Sequence, residues 1–288
     1  MEQKENEILI PFDRELKPGL NSVEYFGSLY HQLKNAGEQT VVCDLRNYRY
    51  IHPSFAVLIA TSVIVAKMLG KTAVIRYSRQ NAEAVSFLTR TGLISAKTAG
   101  QDTTLNDSNL PLRRFWKEEE TIDTIRRILD RAPVRLDDQL SVVLISRITE
   151  VFSNAFTHGH SEIGVFICGL FDEDSQFTFS VYDAGVGIPH NVTRYLGKEL
   201  SPSDALEWAF CQGNSTLNGT LDYPRGAGLN LLESFVKANG GRIDLVSRGG
   251  YCRIDSARRD FYDLSLPFIG TMFSMTIRAD NNHIYKLA

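Results

Sequence analysis

The chain has 288 residues, of which 43% are hydrophobic and 23% charged, a balance that excludes disordered and fibrous classes and suits two globular units. A net charge of −3 argues against the broad basic surface that nucleic-acid binding needs. No apolar run reaches the ~20 residues that a membrane span requires, and the polar start MEQKENE lacks a signal-peptide core, so a cytoplasmic protein without membrane attachment is expected.

In chain order, β-rich runs at Ile8 to Phe12, Thr40 to Asp44 and Thr72 to Tyr77 alternate with helical patterns near 21–36, 53–69 and 80–92. This predicts an α/β N-terminal half. The run from Phe55 to Ala66 is apolar on every side and reads as a buried helix, with Gly70 as its stop. Residues 99–112, rich in turn formers, form the expected linker between a domain at 1–98 and a second at 113–288. The second half opens with helices near 113–131 and 137–158, the latter with Asp137 and Asp138 suited to its start. Strands follow at Ile163 to Leu170 and Gln176 to Tyr182, then a long irregular stretch to Arg225. A helix near Leu229 to Ala238 and strands near Arg242 to Ser247 and Met272 to Arg278 complete an α+β two-layer sandwich. The four cysteines are widely spaced, with no metal-ligand pairing, and read as buried free thiols.

Three stretches carry candidate chemistry. On the helix ITEVFSNAFTHGH, Glu150, Asn154 and His158 recur at steps of four and share one face, about 6 Å apart along the axis. The strand FTFSVY runs into Asp183-Ala-Gly185-Val-Gly187-Ile-Pro189, a carboxylate followed by glycines that let the backbone bend and approach a flat ligand. Arg225-Gly226-Ala-Gly228-Leu229 leads into a helix whose free N–H groups suit phosphate oxygens. Taken singly, these are also a solvent-facing polar stripe, a Gly-rich turn and a helix entrance.

Their order, with Gly270-Thr271 entering a late strand, resembles the GHKL ATP-binding domain shared by gyrase, heat-shock chaperones, histidine kinases and mismatch-repair ATPases, over about residues 112–278. The resemblance implies ATP and Mg²⁺ as cofactors. It makes Asn154 the Mg²⁺ ligand, Asp183 the adenine anchor, Gly185 and Gly187 the wall beside the base, and Thr271 a neighbour of the adenine. It also makes Gly226 and Gly228, ahead of Leu229, the phosphate cradle. Glu150 takes the place of the catalytic carboxylate that orients or deprotonates the attacking oxygen. Residues 189–225 become an ATP lid, with Asn214, Ser215 and Thr216 as phosphate contacts and Arg225 in reach of a terminal phosphate; His158 is structural. The form DAGVGIP is similar to that of the anti-sigma-factor serine kinases, although this lid is longer and contains the helical stretch SPSDALEWAF.

The N-terminal half, through VVCDLRNYRYIHPSFAVLIATSVIVAKMLGK and FLTRTGLI, resembles the STAS domain of anti-sigma-factor antagonists. Ser54 falls at that family's phosphoacceptor position, but the Asp and Gly that flank it there are missing, and a helix N-cap is the expected role. These resemblances imply a regulatory ATPase or protein serine/threonine kinase in partner switching, with a protein partner of the STAS or anti-sigma pathway type and a possible homodimer. The alternatives are a non-catalytic nucleotide sensor with ATP as a structural ligand, and a dimerising, chaperone-like conformational ATPase.

Overall fold

The computed structural model describes residues 7–11, 15–35, 40–47, 49–94, 110–131, 138–171, 176–216, 228–278 and 285. The expected linker is therefore described only from residue 110, and Asp137 lies outside the described residues.

The N-terminal half is α/β. Strands β1 (Glu7–Pro11), β3 (Thr40–Asp44) and β5 (Thr72–Arg76) form a parallel sheet in the order β1-β3-β5, and β2 (Glu15–Leu16) pairs in parallel with β4 (Tyr50–Ile51). Helices α1 (Leu20–Asn35) and α2 (Phe55–Met68) supply the crossovers, and α3 (Ala82–Arg90) follows β5. Helix α3 starts where Asn81 accepts the Ala84 N–H at 3.1 Å. Ser54 does stand at the N-cap of α2, but its hydroxyl makes no capping bond and instead lies 2.8 Å from His52 Nδ1. The imidazole competes successfully because both groups are buried, away from water.

The second half is built on one antiparallel sheet of seven strands in the order β11-β10-β9-β12-β8-β7-β6. Its members are β6 (Leu110–Phe115), β7 (Val165–Phe171), β8 (Gln176–Asp183), β9 (Arg242–Ser247), β10 (Gly250–Asp255), β11 (Arg259–Asp263) and β12 (Thr271–Arg278). The helix expected over 113–131 is shorter than its periodicity suggests. Residues 110–115 pair with β7 as an edge strand, and helix α4 begins only at Ile122 and runs to Arg131.

Period-two alternation sends side chains to opposite faces of this sheet. Val165, Ile167, Phe177, Phe179, Val181, Leu245 and Phe273 meet helices α5 (Asp138–Thr157), α7 (Pro202–Phe210) and α8 (Gly228–Ala238). Their neighbours Phe166, Cys168, Leu170, Tyr182, Val246 and Met272 form a second core with α1, α2 and α3. Both faces are thus covered, which is why β8 is buried from Phe177 onward. The uniformly apolar α2 lies between the parallel sheet and this second face, and that accounts for its missing polar side. Under it, small hydroxyl side chains satisfy one another across strands: Thr178 with Thr276 at 2.9 Å and Ser180 with Ser274 at 3.0 Å. His52 Nε2 lies 3.1 Å from Arg242 on β9, and Glu24 accepts from the Ser265 backbone at 3.1 Å, so polar contacts tie the halves together as well.

The long stretch read as irregular apart from SPSDALEWAF holds that helix and one more. Helix α6 (Ile188–Leu196) carries Pro189 in its first turn, and α7 starts where Ser201 accepts the Asp204 N–H at 3.1 Å. All four cysteines are free; Cys43, Cys168 and Cys252 are buried as expected, but Cys211 is exposed just past α7. No helix among the described residues is long and apolar enough to cross a membrane.

Candidate functional site

On the face of the sheet that α5, α7 and α8 cover, the ends of β8, β12 and β9 open into a cleft bounded by α5, α6, α7 and α8. Two successive cross-strand rows shape its base. Val181, Phe273 and Leu245 are register partners and form an apolar floor. One pleat further on the same face, Asp183 pairs with Thr271 and Thr271 with Ser247. The Ser247 and Thr271 hydroxyls are 2.8 Å apart, and Ser247 also accepts the Ile188 N–H at 2.8 Å. An apolar floor edged by a few convergent polar groups is the general form of a small-molecule pocket.

Asp183 is the electrostatic centre of this row. It is 4% exposed, and burial pushes its carboxyl up to about 7, opposed by a bond from the Gly185 N–H and by the Arg248 charge. The Gly185 N–H donates to Oδ1 at 2.9 Å, which leaves Oδ2 for a donor in the cleft. Helix α5 forms the facing wall with Glu150, Val151, Asn154, Ala155 and His158. The steps of four that put Glu150, Asn154 and His158 on one face thus bring all three to the cleft.

Of the other residues singled out from the sequence, Gly187, Ser215, Thr216, Gly228, Leu229 and Thr271 all line the cleft, as does Asn214. Arg225 and Gly226 lie outside the described residues. Gly185 is placed differently: it is absent from the lining, and a methyl group added to it would fall 1.6 Å from the Gly159 carbonyl oxygen. Its smallness serves backbone packing, locked by the Val186 N–H donating to Gly159 O at 3.0 Å. Gly187 does border the cleft, with φ +84, a conformation that side chains resist.

Several contributors were not anticipated. Gly159 follows α5, and a methyl group there would press within 2.8 Å of Asp183 Oδ1. Trp208 and Ala209 of α7 close one side, and Asn191 and Val192 of α6 another. Asn191 donates to the His158 carbonyl at 3.2 Å, which ties α6 to the end of α5. The only advance signal of the α7 wall was the helical stretch SPSDALEWAF.

A row of strand ends with a buried carboxylate, facing a helix with a carboxylate and an amide, gives an α+β unit with a candidate ligand cleft and an α/β half on its other face. No protein-family model and no curated protein matches the chain. Among solved structures, it is similar to the histidine kinase domain from Erythrobacter litoralis EL346 blue-light activated histidine kinase. The two share 15% identity with a TM-score of 0.28, over 77% of this chain and 85% of that chain.

Proposed function

We propose that this chain is a Mg²⁺-ATP-binding regulatory protein of the GHKL type, acting as an ATPase or a protein serine/threonine kinase in a cytoplasmic partner switch. The observation that carries the reading is the convergence of Glu150, Asn154, Asp183, Gly187, Gly228 and Thr271, distant along the sequence, on one cleft.

Asp183 would accept a hydrogen bond from the exocyclic amine of a bound base, with Thr271 and the apolar side chains of Val181, Leu245 and Phe273 available to the ring. The start of α8 at Gly228, without a side chain, would hold phosphate oxygens on its backbone N–H groups. One feature of the site fits the cofactors: the donor set that Glu150 and Asn154 present on α5 is hard oxygen. Among the described residues no cluster of His, Cys, Asp and Glu could hold a metal alone. Magnesium would therefore be held by Asn154 together with phosphate oxygens, and would supply charge neutralisation on the phosphates. Glu150 orients or deprotonates the attacking oxygen, a water in an ATPase and a protein hydroxyl in a kinase.

We take residues 1–98 as a STAS-like docking or autoregulatory module, 99–112 as its linker and 113–288 as the nucleotide unit. Ser54, 1% exposed, is out of reach of a phosphoryl donor while the halves stay packed.

The test is incubation of the purified chain with γ-labelled ATP and magnesium, with and without co-purifying proteins. Label released as free phosphate indicates an ATPase, and label on a protein hydroxyl indicates a kinase. Glu150→Gln should keep binding and lose turnover by roughly 100-fold or more. Unchanged turnover with intact binding would favour a non-catalytic sensor, and failure of the wild-type chain to bind any nucleotide would overturn the reading.

A further inference from the structure

One turn before Glu150 on helix α5, just outside the cleft lining, stands Arg147. Arg147, Glu150 and Asn154 stand at i, i+3 and i+7 and share a face. The far end of that helix is anchored at Gly159 against Asp183, so passing from Asn154 through Glu150 to Arg147 leads away from the base-reading row. It leads toward the start of α8.

At that end, a carboxylate is held between two positive elements. Arg147 Nη1 donates to Glu150 Oε2 at 3.2 Å. The same oxygen lies against Gly228, the first residue of α8, so closely that a methyl group there would sit 2.5 Å from it. The first turn of a helix presents free N–H groups and the positive end of its dipole, the environment an anion prefers. Glu150 therefore rests in the seat that a phosphate would take. The guanidinium beside it has spare capacity, because Arg147 Nε is buried with no hydrogen-bond partner among the described residues. A planar guanidinium with an unused donor can exchange one oxyanion for another without moving its backbone.

We propose that Arg147 is a positioning residue that reads the terminal phosphate of a nucleoside triphosphate. Without nucleotide it holds Glu150 against the start of α8; when the terminal phosphate reaches that helix end, the guanidinium passes to a phosphate oxygen and frees Glu150 to meet the attacking group. Competition between two anions for one seat drives the exchange, and the phosphate, with the greater charge, displaces the carboxylate. A diphosphate, lacking the last group, leaves Glu150 clamped. This inference rests on the nucleotide reading of the cleft.

The experiment is calorimetric titration of ATP, a non-hydrolysable ATP analogue and ADP, each with magnesium, into the full chain and its Arg147→Gln and Arg147→Lys variants. Wild type should prefer the analogue to ADP. Arg147→Gln should weaken the analogue roughly tenfold or more, the worth of a charge-assisted hydrogen bond, and leave ADP within about twofold. Arg147→Lys, which keeps the charge but not the fork, should retain part of the preference. Equal weakening of both ligands, or an unchanged ratio, would overturn the proposal while leaving the nucleotide reading intact. No binding of any nucleotide by wild type would defeat that reading, and the proposal with it. If Arg147→Gln fails to fold, Arg147→Lys decides: a preference identical to wild type counts against a fork-reading role.

Discussion

Asp183 offers the sharpest quantitative check on the site, because its burial has a consequence for stability that is separable from function. Its carboxyl ordinarily titrates at 3.8 and is pushed up to about 7 in the folded chain by loss of hydration. Between those values the folded state holds a proton that the unfolded state has released, so stability falls as pH rises through this window and levels off above about 7. At about 1.4 kcal/mol for each tenfold, the full penalty is roughly 4 kcal/mol, and relaxation of the cleft will reduce it. Asp183→Asn keeps an oxygen that can accept the Gly185 N–H and removes the charge. The variant should therefore match wild type near pH 4 and exceed it in stability at pH 8 by a few kcal/mol, up to roughly 4. Chemical unfolding followed by circular dichroism at the two pH values measures the gap. The same variant should lose the thermal stabilisation that magnesium and ATP give wild type, because its amide no longer provides the anionic acceptor for a base amine. A gap that is the same at both pH values, or an Asn variant less stable at pH 8, would refute the desolvation account.

Other positions yield independent checks. Gly185→Ala would place a methyl group 1.6 Å from the Gly159 carbonyl oxygen, backbone against backbone, and should destabilise the chain by roughly 3 kcal/mol or more in urea unfolding. A loss under about 1 kcal/mol would return Gly185 to a ligand-facing role. Phe152→Ala, at a fully buried position between α5 and the sheet, should cost roughly 3–5 kcal/mol by the same measurement. His52, ordinarily titrating at 6.5, is pushed down to about 3 by burial and by the charges of Arg242 and Arg253. Its contribution is complete above pH 6.5 and is lost as pH falls toward 3, because only the unfolded chain takes up the proton in that range. His52→Asn should accordingly flatten the acid limb of the stability profile, read as unfolding free energy against pH.

The sequence made some of this architecture plain and hid the rest for identifiable physical reasons. Hydrophobic runs located β3, β5, α5, α8, β8, β9 and β12 to within a few residues, and α2 was found by its unbroken apolar length and the Gly70 stop instead. Strand β6 was hidden because LPLRRF, with Arg113 and Arg114 on an edge, has no such period; pairing with β7 alone makes it a strand. Strands β10 and β11 were missed because Arg253, Arg259 and Asp260 interrupt the apolar pattern. At the site, Asp183, Gly187 and Thr271 were legible because strand ends and glycines mark them. Ser247 was not, since an ordinary serine gains its place only through register with Thr271 across β12 and β9. Gly185 was visible as a glycine but its reason was not: the close approach is to Gly159, a tertiary neighbour.

The period-two pleat also fixes a relation between the two halves of the chain. Asp183 and Thr271 line the cleft, with Ser247 paired to Thr271 on the same face, while Tyr182, Met272 and Val246, their immediate neighbours on the same strands, are packed into the core shared with α1 and α2. A strand end cannot shift on one face alone, because the residues on the two faces are joined by a single peptide bond. Tyr182 makes the link more direct: its hydroxyl donates to the Ile269 carbonyl at 3.1 Å, just ahead of Gly270, whose own backbone lies against Asp183. A ligand that pulls on Asp183 therefore acts on the segment that seats Phe268 and Tyr182 under the N-terminal helices. Differential binding of ligand by packed and parted arrangements of the halves would convert that mechanical link into a free-energy coupling, and coupling of this kind acts equally in both directions.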